Sequence, residues 1–152
     1  MAISQITIPY SWYNITSNYN NNTFTIKWAN TGATPVTFTI PDGLFGVSDL
    51  NAYIQQLCIT NGWYLVDSSG NNVYYVVLST NSNYYKVQLL LLAVPISLPT
   101  GYSLPSASNG GKWPGFPTVA TAPTFSFPSS GSIGSLIGFA GGSSYGGGTS
   151  FS

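Results

Sequence analysis

The sequence has no histidine, no arginine and no glutamate, a single cysteine, and only six charged residues: Lys27, Lys86, Lys112, Asp42, Asp49 and Asp67. The lack of histidine removes the commonest general base and the commonest transition-metal ligand, so Ser-His-Asp and Cys-His nucleophile systems are excluded. Without glutamate, a paired-carboxylate mechanism would need two of the three aspartates. Asp42 lies in the turn Pro41-Asp42-Gly43, and Asp49 in the first turn of an expected helix; both positions account for a carboxylate without chemistry. A Ser-Lys dyad has nothing but the abundance of serine behind it, and Lys27 falls on the polar side of its strand. Cys58 has no partner for an internal disulfide, and its spacing sets it on a buried stripe where a thiol packs rather than reacts. The expectation is a non-enzymatic chain with no metal and no cofactor.

Charge is as scarce as catalytic chemistry. Charged residues make up 4% of the chain, against about 25% in a typical soluble domain. Three scattered lysines cannot neutralise a row of phosphates, so nucleic acid is not an expected partner. A net charge of zero removes the repulsion that keeps monomers apart, and favours burial against other copies. The longest apolar run, Leu89 to Ile96, is far short of the roughly 20 residues needed to span a bilayer. The opening Met1-Ala2-Ile3-Ser4-Gln5 lacks a basic segment and a long apolar one, so no cleaved secretion signal is expected. Asn109-Gly110-Gly111-Lys112 and Gly146-Gly147-Gly148-Thr149 lack the strand-to-helix setting of a phosphate loop. The acceptor patterns Asn14-Ile15-Thr16 and Asn21-Asn22-Thr23 arise readily by chance in an asparagine-rich stretch.

What the chain does contain is alternation. Phe24, Ile26 and Trp28 share one face and Thr25 and Lys27 the other; after Asn30-Thr31-Gly32 the pattern resumes with Val36, Phe38 and Ile40 against Thr37 and Thr39. This reads as a hairpin with one buried face. Leu50, Tyr53, Ile54, Leu57 and Cys58 then recur at helical spacing. They predict an amphipathic helix near 48–60, with Ser48 as its cap, Asp49 at its positive end and Asn61-Gly62 closing it. Two strands, Trp63 to Val66 and Val73 to Ser79, flank a polar turn, and Tyr84 to Val94 forms another whose unbroken apolar stretch suggests cover on both faces.

After Pro95 prolines recur at short intervals among glycine and serine, which leaves room only for short strands such as Thr124 to Phe127. A compact apolar signal, Ile133 to Phe139, closes the fold. The expected architecture is mainly β: an antiparallel β-sandwich-like domain with one short amphipathic helix and an extended Pro/Gly-rich C-terminal region. Its divisions are an irregular N-terminal arm (1–22), a β-rich domain (23–140) and a flexible Gly/Ser-rich tail (141–152), ordered on a neighbouring subunit.

Four tryptophans and eleven tyrosines suit subunit interfaces, where both residue types are enriched. Trp12, Tyr13 and Trp113 lie outside the strand and helix patterns and are the candidate interface residues. Aromatic side chains also stack on sugar rings, so a carbohydrate-binding or host-attachment module is the alternative, with a self-assembling extracellular fibre as a third reading. The segment Ile40-Pro41-Asp42-Gly43-Leu44-Phe45-Gly46-Val47-Ser48-Asp49-Leu50-Asn51-Ala52-Tyr53-Ile54, followed by Asn61-Gly62 and later Leu136-Ile137-Gly138-Phe139, resembles virion structural proteins of virophages, Polinton-like viruses and related large DNA viruses of protists. The resemblance covers roughly residues 23–140. It implies a minor capsid or capsid-associated protein located in the virion; the expected partners are other copies of itself and other capsid proteins, and the aromatic content adds a glycan as an alternative ligand.

Overall fold

The computed structural model describes residues 13–84, 86–106 and 112–146. The expected mainly β, antiparallel architecture is what the chain adopts. Strand β1 (Thr23–Lys27) pairs with β2 (Val36–Thr39), Thr23 facing Thr39 and Ile26 facing Val36. The alternation decides the faces: Phe24 and Ile26 are wholly buried, Trp28 nearly so, and Lys27 is exposed.

The helix α1 spans Val47–Asn61. Gly46, not Ser48, is its N-cap, because Asp49 reaches back and accepts the Gly46 N–H at 2.8 Å. Leu50, Ile54 and Cys58 form the buried stripe, with Tyr53 and Leu57 half-buried at its margins. The helix ends at Gly62, whose φ of 72° is left-handed. A Cβ there would stand 2.7 Å from the Lys112 carbonyl, so glycine is required twice over, for conformation and for space.

Next come β3 (Tyr64–Val66), β4 (Asn72–Tyr74), β5 (Val76–Asn81) and β6 (Lys86–Leu91). The β3–β4 turn is held by Asp67, whose Oδ1 accepts the N–H groups of Ser69 and Asn71, both at 2.9 Å. The sequence reads Val73 to Ser79 as one strand, but the structure divides it at Tyr75. Before that residue the segment pairs with β3, and after it with β6. Tyr75 turns its ring edge-on to Trp28 at 5.9 Å, and this inward turn is where the two strands part. On β6, Leu89 and Leu91 are wholly buried while Leu90 is only half-buried, so the expected cover on both faces is complete on one. The free edge of β5 meets α1, where the Asn51 side chain accepts the Leu78 N–H at 2.8 Å.

The proline-rich segment is stitched on by single bridges, Val66 to Ser103 and Val94 to Thr121. Strand β7 (Thr124–Ser126) then fills the open side of β1, and β8 (Ser144–Tyr145) pairs with β7, giving a four-stranded sheet in the order β2-β1-β7-β8. Ser144 and Tyr145 lie in the stretch expected to order on a neighbouring subunit, yet they pair within their own chain because β7 offers them an unpaired edge. Residues 147–152 are outside the described residues. The short helix α2 (Gly134–Ile137) buries Ile133 and Ile137, and Phe139 stacks on Phe127 at 5.0 Å. The N-terminal residues from 13 onward are attached to this body. Ile15 is wholly buried and exchanges two backbone hydrogen bonds with Gly43. Asn14 donates to the Phe45 carbonyl at 2.7 Å and accepts its N–H at 2.8 Å.

Candidate functional site

The four-stranded sheet carries the most regular surface of the molecule. Three strands repeat one triplet: Thr23-Phe24-Thr25, Thr37-Phe38-Thr39 and Thr124-Phe125-Ser126. The central phenylalanines turn to the core, where Phe24 stacks on Phe125 at 5.1 Å and meets Phe38 at 5.6 Å. The flanking hydroxyls therefore share the opposite face. Register aligns Thr37, Thr25, Ser126 and Ser144 in one row across all four strands. At about 4.8 Å per strand this row is roughly 14 Å long. Its members bond in pairs, Thr25 to Thr37 at 2.9 Å and Ser126 to Ser144 at 2.8 Å. The sequence reading missed this row. The repeated Thr-Phe-Thr/Ser triplet was its visible signal, but which triplets become neighbours is a long-range fact.

The aromatic residues are concentrated inside. Trp28 stacks on Trp63 at 5.8 Å, and Tyr75 and Trp113 approach Trp28 edge-on at 5.9 and 5.7 Å. Trp113 also meets Phe116 at 4.9 Å. This corrects the ground for choosing Trp113 as an interface residue: it is half-buried and packs on the core. The indole Nε1 atoms of Trp28 and Trp113 are buried without a hydrogen-bond partner among the described residues. Tyr13 is 55% exposed and keeps the character of a surface aromatic. Trp12 lies outside the described residues. Tyr13 adjoins the Asn14 clamp on Phe45 whereas Trp113 rests on Trp28, so the two have separate supports.

A polar groove of about 410 Å³ opens between the N-terminal turn and the loop after β7. Its walls include Tyr19, Asn20, Ser129, Ser130, Gly131 and Ser135. Tyr19 ends the 3-10 turn Ser17–Tyr19 and is 71% exposed. Asn20 follows at a φ of 52°, a left-handed conformation that asparagine tolerates better than most residues. It donates its backbone N–H to the Ser17 carbonyl at 3.1 Å and its amide to the Ser130 hydroxyl at 3.0 Å. Thr23 donates its hydroxyl to the Gly131 carbonyl at 2.6 Å, which joins the groove to the hydroxyl face.

Asp42 accepts the Ser17 N–H at 2.7 Å and the Thr16 hydroxyl at 3.0 Å, fastening the 3-10 turn. The Ser17 backbone bond is the main reason its pKa lies below the ordinary carboxylate value. Burial pushes the Cys58 thiol up to about 12, which keeps it protonated and unreactive. Among the described residues no group of three or more His, Cys, Asp or Glu side chains comes together, and no helix is long and apolar enough to cross a membrane. No family model, curated protein or solved structure matches the chain.

Proposed function

We propose that the chain is a non-enzymatic structural protein of a virus particle, assembling with copies of itself and with other capsid proteins through uncharged surfaces. The observation that carries the assembly part is a set of exposed aliphatic side chains on the proline-rich segment. Ile96 and Val119 each lie two residues beyond the isolated bridge between Val94 and Thr121. These side chains are 59% and 69% exposed, and Leu98 nearby in sequence is 41% exposed. Exposed apolar side chains on a chain with zero net charge favour burial against another subunit over exposure to water. The hydroxyl face, which also carries the exposed Lys27, adds a second surface whose Thr and Ser groups both donate and accept. The virion setting rests on the resemblance of the 40–54 segment and the Leu136-Ile137-Gly138-Phe139 closure.

Light scattering on the purified chain tests the reading. A discrete oligomer that dissociates to monomer in the double variant Ile96→Lys, Val119→Lys, with the fold intact by circular dichroism, is the expected result. A wild-type monomer at all concentrations would refute assembly through this segment, and open-ended filaments would favour the fibre reading instead.

A further inference from the structure

We propose that the groove beside Tyr19 is a binding site for a neutral glycan. A sugar ring presents an apolar C–H face and a rim of hydroxyls, so a site for it needs a flat aromatic wall and uncharged groups that donate and accept. The groove supplies both. Tyr19 is its one aromatic wall, 71% exposed and with a hydroxyl that bonds to no described residue. Around it stand the hydroxyls of Ser129 and Ser135 and the Oδ1 of Asn20, none of which bonds to a described residue. The volume of about 410 Å³ lies within the range of small-molecule pockets.

The arrangement is formed before any ligand arrives. Asn20 is the only non-glycine residue among those described with positive φ, and its bonds to Ser17 and Ser130 hold it there. The turn that presents Tyr19 is fixed from beneath by Asp42. No charged residue lines the groove, and the charge fastened to this turn is the Asp42 carboxylate, which disfavours an anionic ligand. Trp113, the other aromatic candidate for sugar stacking, is occupied by its contacts with Trp28 and Phe116. Tyr13 and Tyr84 are exposed too but are not among the walls of this groove, so the glycan is assigned to Tyr19.

The test is calorimetric titration of the full chain with neutral tetrasaccharides of glucose, mannose, galactose and N-acetylglucosamine, and with sialyllactose as an anionic comparison. Binding of at least one neutral probe is expected. Tyr19→Ala should weaken it about tenfold or more, the loss of one aromatic contact worth about 1.4 kcal/mol. Ser135→Trp, which fills the groove from an exposed position, should abolish it. Tyr84→Ala removes another tyrosine that is 70% exposed and should leave binding unchanged. The proposal is overturned by no neutral probe binding at about 10 mM, by binding indifferent to both groove variants, or by preference for the sialylated probe. It is equally overturned if Ser135→Trp changes only the oligomer mass, which would make the groove a subunit contact.

Discussion

Replacing Phe125 by alanine should cost this protein a large share of its stability. The ring is wholly buried, stacks on Phe24 at 5.1 Å with the planes 5° apart, and meets Phe127 at 5.1 Å. A buried Phe→Ala change removes transfer energy and leaves a cavity, together about 3–5 kcal/mol. With a urea m-value of about 2 kcal/mol/M for a domain of this size, the midpoint should fall by about 2 M at unchanged m. Phe125→Leu keeps most of the volume and should cost less than about 1.5 kcal/mol. Ser126→Ala, one residue along on the opposite face, should stay within about 0.5 kcal/mol plus the loss of its bond to Ser144. Urea unfolding followed by tryptophan fluorescence measures all three. A midpoint shift below about 0.5 M for Phe125→Ala would refute the idea that the triplet phenylalanines are the interior of the sheet.

Gly62→Ala should destabilise by more than about 1–2 kcal/mol, because alanine must take a left-handed conformation and push its Cβ against the Lys112 backbone. Thermal unfolding checks it, and an unchanged midpoint would mean that the helix end and the 112–113 segment are not in contact. The folded pKa of Asp42 lies below its unfolded value near 3.8, so its contribution to stability is present above that value and lost as pH falls through the folded pKa. Carboxyl NMR titration should give Asp42 a low midpoint, and Asp42→Asn should flatten the acid side of the stability profile; an ordinary midpoint would contradict the latch on Ser17.

Much of the fold was legible because local patterns coincide with tertiary demands. Phe24, Ile26 and Trp28 alternate and are buried; Leu50, Ile54 and Cys58 repeat at helical spacing and are buried; Gly62 ends the helix as its position suggests. The break at Tyr75 was not legible, since Val73 to Ser79 is a continuous run of strand-forming residues and only the pull of Trp28 divides it. The helix start was misplaced by two residues because Asp49 acts backwards on Gly46, a choice that Ser48 masks in the sequence. The site was less legible than the fold. Trp113 looked free because no periodicity claims it, and contact with Trp28 across 85 residues leaves no local mark. Tyr19 sat unnoticed in an asparagine-rich stretch, since its importance depends on Ser129 to Ser135 lying beside it.

The central place of β1 has a consequence for how the chain is made. One edge of β1 pairs with β2 within a few residues, while the other waits for β7, almost a hundred residues later. During synthesis the first hairpin therefore exists with an unpaired backbone edge and an uncovered row of phenylalanines until Thr124 to Ser126 have emerged. Closure of so distant a pairing is slow, and a nascent chain with almost no charge has little to keep its open edges from finding each other. The interval between hairpin and closing strand is when this protein most needs a chaperone, and its yield should fall more steeply with rate of synthesis than that of a chain whose central strand finds both neighbours early.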